Sequence, residues 1–339
     1  MNSIKFSANT ILTIVFVFLS IELSYGQESN QVFERYFEHK EDIIPDTIDL
    51  SGSLRVIMED DNYYVMDLNR GEIFVFNSNG ENPFRMGGHG RGPGEFERLN
   101  SIAISESKIF AYDLALRKIA TFSKEGSFLS EYRLKSKSTS PQHMFYLEGK
   151  LYLYSTDFVA EHMIQVIDAE TGKVIDNFAE TTFQIKEIGY PLNGLVNAFS
   201  VNSLGELFVT HFIDFTIRKF NKEGRLVSTF SAQDRLFDQP DPEGYSPPMP
   251  ITRITDATIN HFFANSEHIF VGYKHNEFED LSFEILDQKG NRVYPELIKV
   301  DSKFGTPLFI NDEFMVTGRF FDTSEGKKIG FAKYSLTFN

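Results

Sequence analysis

The chain has 339 residues, no cysteine, no tryptophan and a formal net charge of −15. Without thiols there are no disulfides, no thiolate nucleophile, no cysteine-ligated metal and no lipid-acceptor cysteine of a bacterial lipoprotein. So acidic a surface argues against nucleic acid, which is bound through clustered lysine and arginine, and suits a neutral or cationic partner.

In chain order, the first element reads as an export signal. Lys5 supplies the positive start, Ile11–Ile21 is a short apolar core, and Ser24 and Gly26 flank Tyr25 as a peptidase requires, so cleavage is expected before Gln27. The apolar run is too short to cross about 30 Å of hydrocarbon as a helix, and no later segment is long enough either. The expected division is a signal peptide, residues 1–26, and one mature domain, residues 27–339, soluble and either periplasmic or secreted.

After a spare strand at Ile43–Leu50, one pattern returns: a strand of alternating polarity, a polar break, and a second strand running to a turn closed by glycine. The second half reads EIFVFNSNG at Glu72–Gly80 and KIATFSKEG at Lys118–Gly126, with further copies ending at Gly172, Gly224 and Gly290. These glycines fall 46, 46, 52 and 66 residues apart. They are expected at positive φ, which a side chain resists. Tyr63–Asp67, Ile109–Asp113, Leu151–Tyr154, Leu207–Thr210 and Ile269–Tyr273 are the first strands of these pairs, and others, such as Ser101–Ile104, precede them. No stretch of the mature chain carries a helical period. A four-stranded unit of roughly 40–50 residues is a propeller blade, whereas sandwich strands share no such turn. The expected fold is all-β: a six-bladed β-propeller of four-stranded antiparallel blades. Glu313–Thr317 and Gly330–Ser335 are the middle of the sixth blade, and the N-terminal strand closes the ring.

The run GGHGRGPGEF at Gly87–Phe96 resembles the connector between blades in NHL-repeat proteins and their exported bacterial six-bladed relatives. Asp113, Arg117, Phe122 and Gly126 continue that likeness through the second blade. The resemblance implies the fold and leaves the activity open. A phosphate loop is excluded, because no Lys-Ser/Thr ending and no helix follow the glycines. Gly92 and Gly94 are expected in conformations that resist a β-carbon.

Ligands of propellers gather on the face that carries the blade-to-blade connectors. The rim candidates there are His89, Arg91, Asp67, Arg70, Asp113, Arg117, Asp157, His162, His211, Asp214, His275, Arg319 and Asp322. Solvation and bracing between blades explain the same charges without a ligand. His143, His211 and His261 are the candidates for a zinc site, although no metal-binding spacing supports it. Calcium is weighed at Glu59–Asn62, which reads better as a hairpin turn. The long segment Asp238–Pro250, with its prolines, projects from the same rim, as does Tyr190–Gly194. The expected function is an extracytoplasmic binding module for a protein, peptide or glycan, without a cofactor. The alternative is a metal-dependent or acid–base lyase or hydrolase centred on the channel.

Overall fold

The computed structural model describes residues 33–45, 48–135, 141–155, 161–181, 199–210, 216–231, 257–275, 281–294, 297–324 and 326–338. The first strand is β1 (Phe37–Ile43). Blade 1 follows as β2 (Leu54–Glu59), β3 (Asn62–Asp67), β4 (Glu72–Asn77) and β5 (Phe84–Gly87). Blade 2 is β6 (Leu99–Ile104), β7 (Lys108–Asp113), β8 (Lys118–Ser123) and β9 (Phe128–Arg133). Blade 3 is β10 (Pro141–Leu147), β11 (Lys150–Ser155), β12 (His162–Asp168) and β13 (Val174–Glu180). Blade 4 is β14 (Phe199–Val201), β15 (Leu207–Val209), β16 (Thr216–Phe220) and β17 (Leu226–Ser231). Blade 5 is β18 (Ala257–Ala264), β19 (His268–His275), β20 (Leu281–Asp287) and β21 (Ile298–Val300). Blade 6 is β22 (Thr306–Ile310), β23 (Phe314–Thr323) and β24 (Gly326–Leu336), completed on its outer edge by β1. Every blade is an antiparallel meander of four strands, and together they make a six-bladed β-propeller.

The closing strand lies one segment earlier than Ile43–Leu50, at Phe37–Ile43, paired from Phe37↔Leu336 to Ile43↔Phe331. Its sequence, FEHKEDI, is charged through the middle. An outermost strand leaves most of its side chains in water, so it carries little apolar pattern. Ile48 and Leu50 are buried instead as connector residues between blades 6 and 1.

The second and third strands of a blade pack on both faces, which is why they read as nearly unbroken apolar runs. The buried side chains divide into six clusters, each shared by two neighbouring blades. The turn glycines have a double reason. Gly126, Gly172, Gly224 and Gly290 all take positive φ. Each also lies under an aromatic from the outer strand of the preceding blade: Phe84, Tyr132, Phe178 and Phe230 respectively. A β-carbon at Gly290 would fall 2.4 Å from Phe230 Cγ. The same residue therefore makes the turn and seats the neighbour.

Candidate functional site

In a four-stranded meander, the turn between the second and third strands lies on the same side as the connector to the next blade. The rim candidates of blades 1 and 2 do reach this face, and most are used up by the fold. Asp67 has no exposure and accepts from Ser51 N at 2.8 Å, from Ser51 Oγ and from Arg70 N at 3.2 Å. Asp113, equally buried, accepts from the backbone N–H groups of Glu97, Arg98, Ala115 and Leu116 at 2.7, 3.3, 2.8 and 2.9 Å. Arg70 pairs with Asp49 at 2.9 Å. Arg117 takes φ 53°, and its carbonyl accepts from Leu134 N at 2.9 Å.

The glycine-rich connector is a folded loop. His89 is exposed and bridges to Phe96, whose ring is wholly buried. Arg91 is 74% exposed and pairs with Glu97 at 2.7 Å. Gly94 takes φ +73°, as expected, whereas Gly92 is outside the left-handed region and donates its N–H to Glu95. Sequence reading passed over the buried cation that holds this loop: Lys118 Nζ donates to Gly92 O at 3.0 Å and to Glu131 Oε2 at 2.7 Å.

Among the described residues a cleft lies elsewhere, at blades 5, 6 and 1. β22 pairs with β23 only as far as Gly318, and β1 with β24 only as far as Phe331. Beyond these points, among the described residues, the two long strands ladder with each other, from Arg319↔Gly330 to Thr323↔Gly326. This two-stranded ribbon rises over the rim and roofs a cleft of about 760 Å³. Phe320 and Ile329, a facing pair, supply the roof. Leu54 and Leu308 line it from the inner strands of blades 1 and 6, and His261 from the inner strand of blade 5. Phe320 is 68% exposed, an unusual state for so large an apolar ring. Two mid-strand glycines make room here. A β-carbon at Gly318 would fall 2.7 Å from Leu308 Cδ1, and one at Gly272 would fall 2.8 Å from His261 Cβ. Glycine inside a strand was the available sequence signal for this close packing.

Arg319, one of the expected rim residues, borders this cleft and also a second cavity of about 470 Å³ beside β1. Its Nη2 meets Asp42 at 2.8 Å, its Nη1 donates to Lys303 O at 2.9 Å, and its plane lies 4.6 Å from the Phe321 ring. His39 shares the same Asp42 oxygen at 2.8 Å. Asp322 sits opposite Lys327 near the ribbon tip. Thus Arg319 and Asp322 come together with the ribbon, while His89, Arg91, Arg70 and Arg117 belong to blades 1 and 2. Asp157, His211 and Asp214 lie outside the described residues, as does the side chain of His275. His162 opens β12 opposite Glu180. Glu59–Asn62 is a hairpin turn with Asp60 and Asp61 at φ 49° and 57°.

His143 and His261 stand on the inner strands of blades 3 and 5, as expected, and His211 lies outside the described residues. Among the described residues, no group of three or more histidine, aspartate or glutamate side chains could hold a metal ion.

Residues 45–198 match the sequence profile of the DUF5128 family, described as a 6-bladed beta-propeller. No curated protein matches the chain. A Bacteroides fragilis protein designated a candidate for export is 16% identical, with 90% of this chain and 96% of that one covered at a TM-score of 0.66. A DUF4221-family protein of Bacteroides vulgatus is 12% identical, with coverages of 89% and 98% and a TM-score of 0.59. At these identities the likeness is one of fold.

Proposed function

We propose that this propeller is a binding module, exported after removal of residues 1–26, which takes an extended peptide segment of a partner protein into the cleft beneath the ribbon. In this reading residues 27–339 work as one NHL-like domain in the periplasm or outside the cell. The observation that carries it is the ribbon with its exposed Phe320 beside a cleft of mixed lining, in which Leu54, Leu308 and Ile329 supply apolar side chains and Ser53, Thr306 and Arg319 polar ones. Among the described residues no strand ladders onto the ribbon's outer edges past Gly318 and Phe331, and an edge of that kind can add a strand through its N–H and C=O groups. Phe320, Ile329, Leu54 and Leu308 then receive an apolar side chain of the added strand, and Arg319 offers a cation at the cleft wall. A cleft of this volume takes a few side chains rather than a folded domain.

The test is panning of displayed random peptides on the wild-type chain, followed by affinity measurements on Phe320→Asp. Selected peptides should carry an apolar residue within a β-branched stretch. Their affinity should fall at least about tenfold, or about 1.4 kcal/mol, in the variant while its melting temperature is unchanged. Peptides that bind both proteins equally would remove the ribbon from the site.

A further inference from the structure

Arg55 stands on β2, the innermost strand of blade 1, and its side chain crosses to the two following blades. Nη1 donates to Asn100 O on β6 at 2.7 Å and to Gln142 O on β10 at 2.7 Å. Asn100 Nδ2 reinforces the bridge by donating to Pro141 O at 2.9 Å and to Gln142 O at 3.2 Å. The guanidinium is therefore fixed where three innermost strands meet, at the wall of the central channel. Among the described residues, no carboxylate contacts it. Burial alone pulls its pKa down to about 10.

An arginine held this way is costly. A cation drawn partly out of water normally faces an anion, and Arg55, of intermediate exposure, faces none among the described residues. Two backbone carbonyls satisfy one nitrogen and provide no counter-charge. Nε and Nη2 are left without a protein partner among the described residues. Together they form the edge with which arginine grips two oxygens of one oxyanion. Lys118, buried in blade 2, shows the contrasting arrangement, since it has its own glutamate, Glu131.

We propose that the channel of this propeller binds an oxyanion, a carboxylate or phosphate group, on the free edge of Arg55. The site is separate from the ribbon cleft. Leu54, the preceding residue, lines that cleft, while Arg55 reaches away toward blades 2 and 3. Strand alternation sends the two neighbours to opposite sides.

Calorimetric titration of the protein with inorganic phosphate, sulfate and succinate at matched ionic strength tests this. At least one should bind saturably at one per chain, and the phosphate and succinate arms tell which oxyanion the edge prefers. Arg55→Met should abolish that binding. Arg55→Lys keeps the charge but not the fork, and should weaken it about tenfold or more, carrying the test if the methionine variant does not fold. Phe320→Asp should leave it unchanged, so this site and the peptide cleft fail independently. The proposal is overturned if none of the three anions saturates, as when a carboxylate of the chain itself already fills the edge. It is equally overturned if the Arg55 variants bind as the wild type does.

Discussion

Asp67 and Asp113 occupy the same place in successive blades, at the end of the second strand, and both direct their oxygens at backbone N–H groups. In sequence they look like binding residues because they are acidic, lie next to a turn and are followed by an arginine. Their burial gives them another task. Asp113→Ala would strip four backbone donors of their acceptor, and some of those would be left buried and unsatisfied. The expected loss is about 3 kcal/mol by urea denaturation. Arg91→Ala, by contrast, removes a side chain 74% exposed that pairs with Glu97 at the surface, so the melting temperature should stay where it is. A large loss for Arg91 would make it a brace of the connector. Charge type was thus legible in the sequence, and exposure was not. Exposure depends on how Ser51 folds over Asp67, and on how the backbone at Glu97–Arg98 and at Ala115–Leu116 folds over Asp113.

At the scale of elements, the middle strands and turn glycines were read correctly because each blade repeats one local rule. A short apolar run between polar breaks is buried on two faces, and glycine closes the turn. The aromatic seated on each glycine belongs to the preceding blade, so no local rule reveals it. Gly290→Ala should cost about 1–3 kcal/mol, from strain at φ +83° and from collision with Phe230. Phe230→Ala should recover part of that loss. A double-mutant cycle showing strict additivity would mean that the contact plays no part. The outer strands and the ribbon escaped reading for a related reason. The strands expected for blade 6 stop at Thr317 and resume at Gly330, with Asp322, Thr323, Ser324, Glu325 and Gly326 in succession between them. The ribbon is still a ladder, since its pairing is made by backbone groups that any side chain can accompany.

For the whole molecule, the decisive contact joins the two ends of the chain. β1 covers the edge of β24, and Thr337 adds bonds to Tyr36 O at 3.0 Å and Arg35 O at 2.9 Å. Deleting residues 27–43 should leave β24 as a raw edge in a sixth blade of three strands. The product should melt earlier than the chain beginning at residue 27 and elute as aggregates in size-exclusion chromatography. An unchanged melting temperature would mean that the ring holds without its clasp. The all-β class, the number of blades and the turn glycines are legible in the amino-acid order, because each follows from a short unit repeated along the chain, and the closure of the ring from the N-terminus follows from the incomplete last copy. Only the tertiary structure decided which acids are spent on backbone, where the ribbon overhangs a cleft, and that Arg55 meets Gln142, 87 residues away. A period of two assigns each side chain to one side of its strand. What waits on that side is set by the neighbouring blade, which is folded from a distant part of the chain.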